Sequence, residues 1–279
     1  MTLIAQITDL HLRPRGLACY RVSDTNMMAE RAVKSLRAFS PKLDAVVMTG
    51  DLTDRDDPRE YAVARALLDR LDVPVFLMPG NHDSSDGMRR EMADYPGISE
   101  TSDGKIHYAV MVNDVRIIAL DTHMPGRPQG QLGQKQLAWL DRTLSGNEVP
   151  TMLALHHPPA LSGINHMDAM GLLDAPAFAE VLAPHRQVKR ILCGHLHRPI
   201  IAEFAGKIMT LAPSTGHQVE LDLSPKGAAM FRFEPPAYFV HTHTQETGLV
   251  THMAYVESFP GPYHFFADEG VTWPGDEPR

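Results

Sequence analysis

The sequence predicts an α/β sandwich, and three observations carry that expectation. Short apolar runs alternate with amphipathic helical stretches up to about residue 199. The apolar runs stop at glycine or polar residues, as buried strands do. With 43% hydrophobic and 22% charged residues, the composition is globular and excludes a disordered or collagen-like chain. A length of 279 residues leaves room for one large domain, or one domain with a smaller appendage.

The elements follow in order. Leu3 to Thr8, Asp44 to Thr49 and Val73 to Met78 read as buried strands. Between the first two, Asp24 to Phe39 carries one helical stripe: Met28, Ala32, Leu36 and Phe39, with Ala29 and Val33. Between the second two lies the helix Pro58 to Leu71. Asp57 can cap it, Pro58 suits its first position, and Glu60 completes a capping-box pattern. Tyr61, Ala64, Leu68 and Leu71 form its apolar face. Later, His107 to Val112, Val115 to Leu120, Thr151 to Leu155 and Lys189 to Cys193 read as strands. Gln134 to Leu144 and Ala175 to Leu182 read as helices. After about residue 199 helical patterns fade, and strand-like runs rich in histidine and aromatics take over.

Several classes of function are disfavoured. The formal charge of −8 argues against nucleic acid as a main partner. Two cysteines, Cys19 and Cys193, cannot build a disulfide framework or a cysteine-rich zinc module. Cys193 reads as a core residue, and Cys19 falls in a loop. The opening residues lack a basic region followed by a long apolar run, so no secretory signal is expected. No stretch approaches the roughly 20 apolar residues of a membrane span. Together with the low cysteine content, this fits a cytoplasmic protein without membrane insertion. The methionines at 27, 28, 48, 78 and 111 read as core.

The polar residues fall at strand ends. The first strand ends in Asp9-Leu10-His11, the second in Gly50-Asp51-Leu52-Thr53-Asp54, and the third in Gly80-Asn81-His82-Asp83. The Thr151 strand ends in His156-His157-Pro158-Pro159, and the Lys189 strand in Gly194-His195-Leu196-His197. In open α/β sheets, ligands collect beyond the carboxyl ends of strands. Gly50, Gly80 and Gly194 are expected to permit tight turns there. Imidazole, carboxylate and amide oxygen suit zinc, manganese and iron. One carboxylate can bridge two cations, and two cations at ~3.5–4 Å clamp both oxygens of an in-line displacement.

These five ordered blocks resemble the calcineurin-like metallophosphoesterase superfamily. Glu60-Tyr61, Trp139-Leu140, His156-His157-Pro158-Pro159, Thr215-Gly216-His217-Gln218 and Gly261-Pro262-Tyr263 further resemble its bacterial glycerophosphodiesterase and class III cyclic-nucleotide phosphodiesterase branch. The resemblance implies a four-layer α/β/β/α sandwich with a small C-terminal cap. Residues 1–198 would form the dinuclear core, 199–255 a cap and dimerisation segment, and 256–279 a tail returning to the core. It implies Asp9, His11 and His197 on one metal and Asn81, His156 and His195 on the other, with Asp51 bridging. His82 would sit beside the scissile phosphate as a catalytic and substrate-binding residue, and His217 would face the substrate from the cap. The cofactors would be two divalent ions, drawn from iron, manganese, zinc or cobalt. A homo-oligomer, either a dimer or a dimer-built hexamer, follows from the same analogy.

The expected reaction is hydrolysis of a small phosphodiester by a metal-bound hydroxide, giving a phosphomonoester and an alcohol. Glycerophosphodiesters are the first substrate class, and 3′,5′-cyclic nucleotides the alternative. A broad phosphomonoesterase, a phosphonate esterase or a non-catalytic scaffold ranks below these. His82 would hydrogen-bond the developing charge or protonate the leaving alkoxide. Asp54 and Asp83 are open between helix capping and orienting the histidine ligands. His157 reads as structural. His241 and His243 share a strand face, either as ordinary polar contacts or as a separate metal site. Substrate choice is expected in loop side chains such as those of Ser162 to Met170.

Overall fold

The computed structural model describes residues 1–99 and 104–263. In chain order the elements are β1 (Thr2–Ile7), α1 (Thr25–Ala38), β2 (Ala45–Met48), α2 (Pro58–Leu68), β3 (Val75–Leu77), α3 (Ser85–Glu91), β4 (Tyr108–Val112) and β5 (Val115–Ala119). There follow α4 (Gln134–Leu144), β6 (Thr151–Ala154), α5 (Asn165–Asp168), α6 (Ala175–Leu182), β7 (Val188–Cys193), β8 (Ile200–Phe204) and β9 (Lys207–Leu211). The last strands are β10 (Gln218–Val219), β11 (Phe231–Arg232), β12 (Ala237–Thr244) and β13 (Gly248–Tyr255).

Two large sheets result. The first has the order β13-β12-β1-β2-β3, and the second β4-β5-β6-β7-β9-β8. Strands β1, β2 and β3 run parallel, as do β5, β6, β7 and β9. The outer strands β12, β13, β4 and β8 pair antiparallel.

Alternation along the strands of the second sheet separates its two faces. Ile117, Ala119, Met152, Ala154 and Leu192 join the core packed with the first sheet. Their neighbours Ile118, Leu120, Leu153, Leu155, Ile191 and Cys193 join a second core with α4 and α6 residues such as Leu140 and Phe178. The period of two thus fills both faces of one sheet. On the far side of the first sheet, α1 contributes Ala29, Val33 and Leu36, and α2 contributes Tyr61, Ala64 and Leu68. The expected four layers are therefore helices, sheet, sheet, helices.

The helix starts follow local chemistry. Asp24 caps α1 by accepting from Met27 N–H. Asp57 and Glu60 form the predicted capping box on α2, with Pro58 in the first turn. Helix α3 was not anticipated; its cap is Ser84, whose hydroxyl accepts from Gly87 N–H. Of the methionines expected in the core, Met48 and Met78 are buried, whereas Met27 and Met111 are 43% and 51% exposed. Their places on helix and strand are right but they point outward.

The stretch 199–255 supplies β8 and β9 to the second sheet and β12 and β13 to the first, while β10 and β11 form a separate ribbon. Of the tail expected from residue 256, residues 264–279 lie outside the described residues. No helix among the described residues is long and apolar enough to cross a membrane.

His241 and His243 each have their own hydrogen-bond partners. His243 Nδ1 lies 2.8 Å from Asp114 Oδ2. His241 Nδ1 lies 2.9 Å from Thr251 Oγ1, and its Nε2 lies 3.1 Å from Gln6 Oε1. Neither joins a metal-competent cluster among the described residues, so the polar-contact reading holds. Burial first, then Arg190 and His252, pushes the His241 imidazole down to about 3. A histidine held neutral in the fold contributes stability that is complete above its unfolded value near 6.5 and is lost as pH falls toward the folded value. The stability difference between wild type and His241→Gln is therefore expected to shift by about 1 kcal/mol per pH unit between about pH 6 and 4. Urea unfolding across that range checks this, and parallel pH profiles would contradict it.

Candidate metal centre

The parallel strands of both sheets deliver their carboxyl ends to one edge, and the loops there carry the candidate residues. Asp9 and His11 follow β1, and Asp51 follows β2. Asn81 and His82 follow β3, His156 follows β6, and His195 and His197 follow β7. Asp9, His11, Asp51, His156, His195 and His197 are buried, and Asn81 and His82 half-buried. All nine sequence-predicted site residues converge on this edge, and seven of them, all but the buried Asp9 and His156, line a cleft of about 410 Å³. His217, from the turn before β10, sits 4.8 Å from His197 between ring centroids. A larger groove of about 610 Å³ between α1 and α2 contains no such cluster.

Backbone conformation sets these loops apart. Asp9, His11, Asp51, His195 and His197 all adopt positive φ, between 43° and 71°. That region costs an L-residue roughly 1–2 kcal/mol, and such strain concentrates at functional sites. The glycines work differently from the expectation. Gly50 has a φ of 92°, but Gly80 and Gly194 do not take positive φ. They are required by close approach: a Cβ on Gly80 would overlap the Asp51 carboxylate, and one on Gly194 would overlap the Thr8 hydroxyl.

Two donor sets share one carboxylate. In the first, Asp9, His11, Asp51 and His197 offer ligand atoms within 4.8 Å of one another. His11 Nε2 and His197 Nε2 face each other at 3.1 Å, and Asp9 Oδ1 is 3.4 Å from His197 Nε2. In the second, His156 Nε2 lies 3.1 Å from Asn81 Oδ1, and His195 stands beside it. Asp51 Oδ2 is 3.6 Å from His11 Nε2 and 3.3 Å from His156 Nε2. The other oxygen, Oδ1, accepts from His82 N–H at 2.9 Å, which fixes the carboxylate between the sets.

The tautomers suit metal binding. His156 Nδ1–H donates to the Thr49 carbonyl at 2.8 Å, and His197 Nδ1–H to the His217 carbonyl at 2.9 Å. Since a carbonyl only accepts, each Nε2 is left with a bare lone pair aimed into the cluster. His195 Nε2 is buried without a hydrogen-bond partner among the described residues. Burial and the neighbouring imidazoles hold His195 and His197 well below the ordinary histidine range, so both are neutral. Burial pushes Asp9 up to about 6. Burial also disfavours ionised Asp51, but His156 and His82 outweigh it and hold that carboxyl low. Neutral imidazoles, an orphaned buried nitrogen and crowded carboxylates form a donor set that fits divalent cations.

The neighbours sort out the open readings. His157 uses both ring nitrogens, with Thr122 Oγ1 at 2.7 Å and the Pro128 carbonyl at 3.1 Å, and is structural. Asp83 accepts from the backbone N–H groups of Leu52, Thr53 and Gly80, so it braces two loops rather than a histidine. Asp54 faces His11 Nδ1 at 3.6 Å, and its carbonyl accepts from His82 Nδ1–H at 2.8 Å. Cys19, read as a loop residue, is buried and donates to Asp54 Oδ1 at 3.3 Å. Tyr20, His166, Met167, Met170 and Phe231 also line the cleft. Of these, only the 162–170 loop carried a signal in the sequence. Tyr20, Phe231 and His217 pack as three rings with centroids 4.9–5.4 Å apart.

A family model described as calcineurin-like phosphoesterase matches residues 2–199. The chain is 34% identical over 274 residues to a probable glycerophosphodiester phosphodiesterase of Arcobacter nitrofigilis, covering 96% of this chain and 98% of the relative. It is 36% identical over 236 residues to a probable cyclic nucleotide phosphodiesterase of Synechococcus, covering 84% and 89%. Among solved structures, a dimetal phosphatase from Danio rerio shares the fold at a TM-score of 0.62 and 15% identity, covering 92% of this chain and 99% of that one.

Proposed function

This chain belongs to the calcineurin-like phosphoesterase family, and we propose that two divalent cations occupy its strand-edge site and that glycerophosphodiesters are its substrates. The chain is a metal-dependent phosphodiester hydrolase, as its similarity to named phosphodiesterases across nearly its whole length establishes. One observation supports the two-cation reading above the rest: Asp51 Oδ2 stands between His11 Nε2 and His156 Nε2. Asp9, His11, Asp51 and His197 would hold one cation, and Asp51, Asn81, His156 and His195 the other.

When bound, such a pair supplies positive charge to the phosphoryl oxygens and brings the pKa of a water toward neutrality. The chain's own residues do the rest. Asp51 fixes the spacing of the two sites, because its second oxygen is tied to His82 N–H. His82 commits Nδ1–H to the Asp54 carbonyl, so its Nε2 can donate only from the imidazolium. In that form it would pass a proton to the leaving alkoxide and end neutral. His217 and the rings of Tyr20 and Phe231 would border the alcohol portion of the substrate. Those rings also offer a stacking surface, which is what supports cyclic nucleotides as the second reading. A homo-oligomer remains part of the proposal.

The test restores Mn²⁺, Zn²⁺ or Fe²⁺ to metal-stripped protein and offers glycerophosphocholine, glycerophosphoethanolamine, 3′,5′-cyclic AMP and a simple phosphomonoester. Metal-dependent cleavage dominated by the two glycerophosphodiesters is expected. Dominant turnover of cyclic AMP would instead select the second reading.

A further inference from the structure

We propose that Arg13 is a positioning residue for the site, acting through Asp54 on His11 and His82; the inference rests on the two-cation reading above. Its Nη1 alone donates to Asp54 Oδ2 at 2.8 Å and to Glu60 Oε1 at 2.7 Å. All three side chains are sequestered, at 12% exposure for Arg13, 9% for Asp54 and none for Glu60. Buried carboxylates of this kind need a hydrogen-bonded cation, since an unpaired buried charge is costly.

Each partner ties down a different loop. Glu60 Oε2 accepts from Arg55 N–H at 2.8 Å and Asp54 N–H at 3.2 Å, fixing the segment that follows Asp51. Asn26 on α1 brackets the backbone of Arg13: its Oδ1 accepts from Arg13 N–H at 3.0 Å, and its Nδ2–H donates to the Arg13 carbonyl at 2.9 Å. The bracket fixes the segment that follows His11. Arg13 is thus the cation that joins the loop after β1 to the loop after β2. Glu60, which the sequence marks only as a helix cap, serves this junction as well.

Asp54 hands the constraint on to two imidazoles. Its Oδ1 stands 3.6 Å from His11 Nδ1, which makes no hydrogen bond among the described residues. Its carbonyl holds His82 Nδ1–H. A carboxylate behind a histidine ligand fixes the ring's tautomer and orientation and leaves Nε2 for the metal. Without Arg13, Asp54 would keep only the exposed guanidinium of Arg55, 3.5 Å from its Oδ2, and the cation shared with buried Glu60 would be gone. Asp54 would then leave its place behind His11.

The readout is Mn²⁺ affinity, measured by competition with a chelating dye and requiring no turnover. Arg13→Gln is expected to weaken binding by about 10–100-fold. Arg13→Lys should recover most of the loss, because a single nitrogen makes both native contacts. A second variant guards against misfolding of the first. Asp54→Asn preserves the side-chain volume and backbone carbonyl but removes the charge behind His11. It is expected to weaken Mn²⁺ binding by about tenfold and to alter the ¹⁵N signals of the His11 ring in metal-stripped protein. Wild-type affinity in Arg13→Gln or in Asp54→Asn would overturn the proposal. Failure of the wild-type protein to bind Mn²⁺ would instead overturn the two-cation reading on which it rests.

Discussion

Asp51→Asn is expected to lower metal-dependent phosphodiester turnover by about a thousandfold or more. Metals at such sites contribute several kcal/mol of transition-state stabilisation, and each ~1.4 kcal/mol is tenfold in rate. Asparagine keeps an oxygen for His82 N–H, so the loop conformation is preserved. It removes the anionic oxygen 3.6 Å from His11 Nε2 and 3.3 Å from His156 Nε2, and with it the proposed shared ligand. Comparing kcat with melting of the metal-stripped variant separates the two roles. The account expects kcat to collapse while melting changes by only a few degrees. A variant that retains a tenth of wild-type kcat would show that Asp51 is not the shared ligand.

Gly80→Ala should have the second largest effect, although a methyl group is the only change. The added Cβ would overlap Asp51 Oδ1 and come within 2.5 Å of Asp51 backbone nitrogen. A flexible tip could yield, but a backbone atom in a packed loop cannot do so cheaply. Overpacking of this kind typically costs about 1–3 kcal/mol. Displacement of the carboxylate should weaken Mn²⁺ binding by at least about a hundredfold, by analogy with the largest losses seen when a ligand's support is removed. Isothermal titration with Mn²⁺ checks the affinity, and urea unfolding checks the stability. Native affinity would mean that the Asp51 loop shifts without consequence.

The framework was legible because both periodicities are clean. The runs at residues 3–8, 44–49 and 151–155 became strands within one or two residues of their expected ends. The α1 and α2 stripes buried Ala32, Val33, Leu36, Tyr61, Ala64 and Leu68 as their spacing requires. Helix α3 was missed because Ser85–Glu91 has only Met88 as a large apolar residue, too little for a periodic signal. Met27 and Met111 were misread for the complementary reason: an apolar side chain within an element need not face its core.

At the site, the residue types and their order at strand ends brought the candidate ligands to one edge. Less could be read of how they are held there. Positive φ at Asp9, His11, Asp51, His195 and His197 leaves no trace in composition, since none is glycine. The requirement for Gly80 and Gly194 comes from contacts with residues 29 and 186 positions away, Asp51 and Thr8, and not from local turn geometry. Arg13 carried no signal at all. Its partners, Asp54 and Glu60, are distant in sequence, and only the packed loops bring the three side chains together. Tyr20 and Phe231 meet across the cleft for the same reason.

The central claim is that two cations sharing Asp51 perform the hydrolysis. Its most direct test is elemental analysis of the fully active protein after gel filtration, with glycerophosphodiester turnover followed as Mn²⁺ is added back to stripped protein. The account predicts two ions per chain at full activity, with turnover saturating at the second equivalent. Full activity with one ion per chain, or with none, would contradict it.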